Sequence, residues 1–206
     1  MHARVQAVRT LPEQFNTPEA AGFLMNVIAG HPGFRSIHLF LQIGSRRGLN
    51  VTLWDSLENA VAATDRTRSV MGPRPFTLDL DEVYDVLAST SGPATPGEAR
   101  VCQVSWFDGP RSAEQNDAML RAGEHRIGPA IATMPGLVAT YVLCHPGDSS
   151  VAILTLATST EALDRAAGIV FSTALLPGED PALLTGPDRV EVYKIENQLF
   201  ASAPVA

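Results

Sequence analysis

Lysine is nearly missing from this chain: Lys194 stands alone beside fourteen arginines, and nowhere do the basic residues gather into a stripe. Fifteen basic against twenty-two acidic residues leave a formal net charge of −7 and a pI near 5.2. That balance argues against nucleic acid as a partner, because a phosphate backbone is met by a basic face. The one local basic cluster, Arg46-Arg47, reads as a solvated loop. Long apolar runs are missing too. None approaches the roughly 20 residues of a membrane span, and MHARVQAVRT lacks the apolar centre of a signal peptide. No membrane partner is expected, and a cytoplasmic location is. Cys102 and Cys144 show neither CxxC nor Cys/His ligand spacing, so a disulfide framework and a zinc site are both excluded and buried free thiols are expected. There is no Walker loop, no GxGxxG after a strand, no HExxH and no GxSxG elbow. No cofactor and no metal are therefore expected.

What is present is a globular composition, with 45% hydrophobic and 18% charged residues, and a chain that contains itself twice. HPGF at 31–34 resembles MPGL at 134–137, and VTLWDSLENA at 51–60 resembles ILTLATSTEAL at 153–163. Gly33 with Gly136, Ser56 with Ser159 and Glu58 with Glu161 all fall at one offset of 103. ARVQAV at 3–8 matches ARVCQV at 99–104 with an offset of 96, and EVYDVL at 82–87 matches EVYKIE at 191–196 with an offset of 109. The second half has thus gained about seven residues before its Pro-Gly turn and about six before its last strand, where surface segments tolerate insertion. TSGPATPGE at 90–98, with two prolines and two glycines, reads as the connection. The expected organisation is residues 1–92, a linker at 93–98, and residues 99–206.

Each half gives the same series of elements. A strand (about 4–10, and 100–107) precedes a helix capped near Thr17-Pro18-Glu19 or Ser112-Ala113-Glu114. After the Pro-Gly turn come two strands, RSIHLFLQI and NVTLW, or VATYVLC and VAILTLA. Ser56 and Ser159 then cap a second helix with Glu58 and Glu161 in its first turn, and a last strand passes Tyr84 or Tyr193. The order β-α-β-β-α-β is the split βαβ of ferredoxin-like α+β folds. Two such tandem repeats with antiparallel sheets are expected to form one intramolecular barrel enclosing a small-molecule pocket. Alternation puts Ile37, Leu39, Leu41 and Ile43 toward the helices and His38, Phe40 and Gln42 on the opposite face.

The Pro-Gly turn, the strand ending in Trp54 and its continuation WDSLENA resemble the antibiotic-biosynthesis monooxygenase family, once per half and over nearly the whole chain. The resemblance implies a dimeric α+β barrel, here made by two halves of one chain, so that a monomeric pseudo-dimer or a homodimer is expected. In the family's cofactor-independent oxygenases an Asn and a Trp four residues apart on the third strand line the pocket, and Asn50 and Trp54 stand at that spacing in NVTLW. Positions 50, 52 and 54 project from one side of a strand, so Asn50 can hydrogen-bond a substrate carbonyl or enolate while Trp54 stacks on an aromatic ring, with Thr52 between them. The alternative is that Asn50 only begins the strand and Trp54 fills the core. The equivalent positions of the second half are Ile153 and Ala157, and Tyr141 answers His38. Haem-degrading relatives use a His in the second helix, and residues 57–71 contain none.

His38 is the candidate general base, since neutral imidazole suits proton abstraction near pH 7; a structural histidine is the alternative. His31 reads as part of the turn, and His125 and His145 have no motif around them. Phe40, Gln42, Thr52, Arg74, Tyr84, Trp106 and Tyr141 are the candidate substrate-binding residues, with packing or solvation as the other reading of each. The function expected is oxidation of a phenolic or polyketide-like aromatic molecule by dioxygen without a cofactor, the first half supplying the chemistry and the second the wall. An isomerase or cyclase on a similar substrate, and a non-catalytic binder of a hydrophobic metabolite, are the alternatives.

Overall fold

A computed structural model describes residues 1–10, 17–72 and 77–201. Its elements are β1 (His2–Val8), α1 (Pro18–Ala29), β2 (Phe34–Gln42), β3 (Gly48–Trp54), α2 (Leu57–Met71) and β4 (Leu80–Ser91), then β5 (Val101–Phe107), α3 (Ala113–Ala122), α4 (Gly128–Ile131), β6 (Leu137–Cys144), β7 (Val151–Ala157), α5 (Thr160–Ser172) and β8 (Arg189–Phe200). The β-α-β-β-α-β order thus occurs twice. In the first half β1 pairs with β3 and with β4, and β3 with β2; in the second β5 pairs with β7, and β7 with β6; all of these registers are antiparallel. No described helix is long and apolar enough to cross a membrane.

The chain divides into two compact units, residues 1–85 with 194–206, and residues 86–193. The expected boundary at 93–98 is corrected accordingly: the break falls inside β4, and β8 is divided in the same way. The physical reason is strand length. β4 and β8 have twelve residues each, longer than the seven residues of β1 or β5 beside which they run. Nor is 90–98 a free connection, because Gly92 and Ala94 donate to the carbonyls of Val138 and Leu137 and Pro96–Glu98 forms a short 3-10 turn.

The helix starts follow the expected chemistry. Thr17, Ser56, Ser112 and Ser159 accept from the backbone N–H groups of Ala20, Asn59, Gln115 and Ala162, and each helix carries an acidic residue in its first turn. Both Pro-Gly turns need glycine for two reasons. Gly33 and Gly136 have φ of 73° and 86°, and a Cβ at Gly33 would overlap the Asp55 carboxylate, as one at Gly136 would crowd the Thr158 hydroxyl. Their carbonyls accept from Asp55 and Thr158 at 2.9 Å, which fixes each turn against the start of the following helix. Gly33→Ala is expected to lower stability by about 2 kcal/mol in urea unfolding, the sum of a left-handed backbone and a displaced carboxylate. Gly178, at φ 88° with open space around its Cα, provides the comparison, since only the backbone cost applies there.

The second unit absorbs its insertion within the helix. Residues 113–131 run through α3, a π-helical turn at Gly123–Ile127 and α4, seven residues longer than α1. Its later loop is held by an ion pair of 2.8 Å between the largely buried Arg126 and Glu179 side chains. The core of this unit lies between sheet and helices, where Val101, Leu137 and Ala157 meet Ile131, Met134, Ala162, Leu163 and Ala166. In the first unit Trp54, Ile37 and Phe34 meet Ile28, Ala60 and Ala63 in the same way.

Candidate functional site

Register decides which candidates share a face. Across β2 and β3, Leu39 lies opposite Asn50 and Ile37 opposite Thr52, whereas His38 lies opposite Val51 and Phe40 opposite Leu49. Directly paired residues project to one side of a sheet. Ile37 belongs to the core beneath the helices, so Asn50, Thr52 and Trp54 face α1 and α2. His38, Phe40 and Tyr84, the last opposite Ala3 and through it Leu53, face away from them. The expected combination of His38 with Asn50 and Trp54 in one site is therefore corrected: they lie on opposite faces of one sheet. Sequence alternation had placed His38 and Phe40 away from the helices but gave no sign for β3, because both of its faces are largely buried.

Trp54 takes the core alternative. It is 1% exposed, meets the edge of the Phe34 ring at 5.8 Å, and donates its indole N–H to the Thr52 hydroxyl at 2.8 Å. Its polar atom is therefore used within the protein, and what it adds to the neighbouring layer is apolar ring surface.

His38 is 3% exposed, stacks on Phe40 at 5.8 Å and meets the Phe200 ring edge-on at 5.4 Å. Burial lowers its pKa to about 4, opposed only weakly by the Gln198 side chain, and neither ring nitrogen makes a well-formed hydrogen bond among the described residues. Such an imidazole is neutral at pH 7 but a poor proton acceptor. Against a phenol of ordinary pKa near 10, transfer to it is uphill by about 8 kcal/mol. The base assigned to His38 is corrected on both position and basicity.

The other candidates are dispersed. Gln42 accepts from the Ser45 hydroxyl at 2.8 Å in the turn after β2. Arg74 lies outside the described residues. Trp106 and Tyr141 belong to the second unit. Trp106 donates its N–H to Glu191, which also accepts from Tyr193 and pairs with Arg189, so that cluster is satisfied within itself. Tyr141 is half-buried opposite Leu154, with its phenol pKa raised by desolvation. His31 ties the turn to Thr67 of α2, His145 pairs with Asp148 beside it, and His125 is exposed near Glu124, as expected of residues without a site. Cys102 is buried as expected, while Cys144 is only partly so.

What surrounds Asn50 is a polar cluster that was not singled out in the sequence. Its Nδ2 donates to Gln6 Oε1 at 3.2 Å, Gln6 Nε2 donates to Asp81 Oδ1 at 2.8 Å, and Arg4 Nε and Nη2 reach the same oxygen at 2.8 and 2.7 Å. Arg4 Nη1 also reaches the Ala60 carbonyl of α2, which confirms the side of the sheet. Asn50 Oδ1 is buried with no partner among the described residues, and so is the hydroxyl of Thr64, one helical turn beyond Ala60. The available signal was the alternation of Arg4 and Gln6 with Ala3, Val5 and Ala7. Aligning the halves at an offset of 96 concealed it. The registers pair Gln6 with Asn50 and Ser105 with Ile153, which makes the offset of the first strands 99 and reverses their faces. Among the described residues, no three His, Cys, Asp or Glu side chains converge to hold a metal ion.

The first half thus carries a polar group in the layer between a ferredoxin-like sheet and its helices. No family model matches the sequence, and no curated protein matches it. Among solved structures, an anthrone oxidase-like protein is 16% identical with a TM-score of 0.60, the match covering 100% of this chain and 95% of that one. A putative monooxygenase from Fusobacterium nucleatum subsp. nucleatum is 7% identical with a TM-score of 0.69, over 97% and 94% of the two chains. A ferredoxin-fold protein related to antibiotic biosynthesis monooxygenases, from Listeria monocytogenes, is 12% identical with a TM-score of 0.52, over 94% of each. The neighbours in structure are thus proteins of the antibiotic-biosynthesis monooxygenase type, and the fold is what this chain shares with them.

Proposed function

We propose that the chain is a monooxygenase that oxidises a phenolic or polyketide-like aromatic molecule with dioxygen, using no organic cofactor or metal, and that its halves are tandem repeats of the family unit. The observation that carries this is the buried, unpartnered Asn50 Oδ1 on the helix-facing side of the sheet, the side that also carries Thr52 and Trp54. An orphaned acceptor there costs roughly 1–3 kcal/mol unless something donates to it. A hydroxylated aromatic ring supplies both the donor and the apolar surface. The solved neighbour described as anthrone oxidase-like gives the substrate class its first member.

In such a reaction the activated methylene of an anthrone loses a proton, and the carbanion reduces dioxygen to form a carbon-bound peroxide. Loss of water from the peroxide leaves the quinone, with one oxygen atom in the product and the other in water. The protein orients the ring, holds its hydroxyl and excludes bulk water; the acidity lies in the substrate. In the second half Asn50 and Gln6 are answered by Ile153 and Ser105, so that the Asn50 amide has no counterpart there. Metal-free protein incubated with a hydroxylated anthrone under labelled dioxygen is expected to place one labelled atom in the corresponding hydroxyanthraquinone, and Asn50→Leu is expected to slow this by about 100-fold. Absence of label across a panel of hydroxylated anthrones and naphthols would overturn the proposal. Turnover under strict anaerobiosis would instead identify an isomerase.

A further inference from the structure

Asp81, Gln6 and Asn50 stand at one level of the sheet. Gln6 on β1 lies directly opposite Asn50 on β3 and directly opposite Asp81 on β4, so the three side chains run across adjacent strands on one face. Their chemistry gives the row a direction. A carboxylate only accepts, so Asp81 takes the Nε2 of Gln6 and leaves Gln6 Oε1 pointing the other way. That oxygen takes the Nδ2 of Asn50, and Oδ1 of Asn50 is left facing away from the row, buried and without a partner among the described residues. Turning Asn50 over would set its oxygen against that of Gln6. Turning Gln6 as well would set an oxygen against the Asp81 carboxylate. Arg4 fixes the carboxylate through two nitrogens, with its own side chain 15% exposed.

We propose that Gln6 and Asp81 are positioning residues that hold Asn50 with its carbonyl oxygen toward the ligand, so that the site selects molecules offering a hydroxyl at that point and rejects the corresponding ethers. This rests on Asn50 as the ligand-contacting residue of the proposed function, and it reverses the polarity that the sequence had suggested, in which Asn50 donates to a carbonyl or enolate. A site built around a fixed acceptor discriminates strongly against an analogue without the donor, because the buried oxygen is then left unpaired. The second half has no such row: Ser105 and Ile153 occupy the levels of Gln6 and Asn50.

The test uses the full chain labelled with nitrogen-15, titrated with 1-naphthol and with 1-methoxynaphthalene, following the side-chain amide resonances of Asn50 and the dissociation constants. The wild type is expected to bind the naphthol about tenfold or more tightly than its ether. Asp81→Asn can donate as well as accept, which releases the orientation of Gln6, and the ratio is expected to fall below about threefold with the protein still folded. Asp81→Glu, which still only accepts, is expected to restore much of it. A merely structural Asp81 would weaken both ligands alike and leave the ratio unchanged. A folded Asp81→Asn protein that keeps the wild-type ratio, or a wild type that binds the two ligands equally, overturns the polarity while the site stands. If neither ligand moves the Asn50 amide, the site itself is overturned and this inference with it.

Discussion

Trp54→Ala is expected to destabilise the protein by about 3–5 kcal/mol, read as a lowered urea midpoint at unchanged slope. The side chain is 1% exposed and packs against Ile28, Phe34, Ile37, Ala60 and Ala63, so its loss opens a cavity that small neighbours on α2 close poorly. The Thr52 hydroxyl also loses the indole donor at 2.8 Å, adding an unpaired buried group. A loss of turnover in this variant would therefore report unfolding as much as chemistry. Asn50→Leu separates the two: it removes the orphaned oxygen, and although it leaves Gln6 Oε1 without its donor at a cost of roughly 1–3 kcal/mol, its larger effect is expected on ligand and rate. A Trp54→Ala protein within about 1 kcal/mol of wild type would contradict the position of the ring beneath the helices. At the matching place in the second half stands Ala157, also fully buried, where the same layer is filled by Leu137, Leu163 and Ile131 instead.

Stability is expected to fall as pH drops from about 6.5 to 4, and His38 is the cause. Its folded-state pKa is about 4 against 6.5 for a free imidazole, so over this window the unfolded chain takes up a proton that the folded chain refuses. The stabilisation is fully present above pH 6.5 and is lost on acidification at about 1.4 kcal/mol per pH unit, reaching about 3 kcal/mol near pH 4. Carboxylates with lowered pKa, such as Asp148 and Glu98, are exposed and act mainly below that window. Unfolding free energies of the wild type and His38→Phe, measured between pH 4 and 8, isolate the contribution. The difference between the two proteins is expected to move in favour of the variant by about 3 kcal/mol over the window. Parallel curves would show that His38 titrates normally in the folded protein and is not buried among Phe40, Phe200 and Val51 as the structure has it.

The first half places the unpaired oxygen of Asn50 on the helix side of the sheet and the unpaired nitrogens of His38 on the other. On the helix side of the second sheet Gln103 donates to Ser105 and Thr140 lies opposite Thr155, above an apolar layer of Val101, Leu137 and Ala157, while Trp106, Arg189, Glu191 and Tyr193 form a separate polar group. The proposed division of roles between halves therefore rests on the kind of unpaired group each layer holds, an amide oxygen at Asn50 in the first and a hydroxyl at Thr140 in the second.

The sequence by itself determined the local structure: the β-α-β-β-α-β order, the four capping residues, the two glycines that turn into the second strands, and the alternation that sets Ile37 and Leu39 apart from His38 and Phe40. These depend on contacts a few residues apart, so the pattern of apolar, capping and turn residues suffices. Only the tertiary structure decided which alternating set of β3 shares a side with which set of β2, because register is a relation between strands and a single odd shift reverses every side chain. In β1 the offset of 96 read from sequence differs by three from the 99 given by pairing, and that odd difference hid Gln6 beside Asn50. Asp81 was hidden for a further reason. It is 75 residues from Gln6 in the chain, and its carboxylate acquires its role only when β1 lies between β3 and β4.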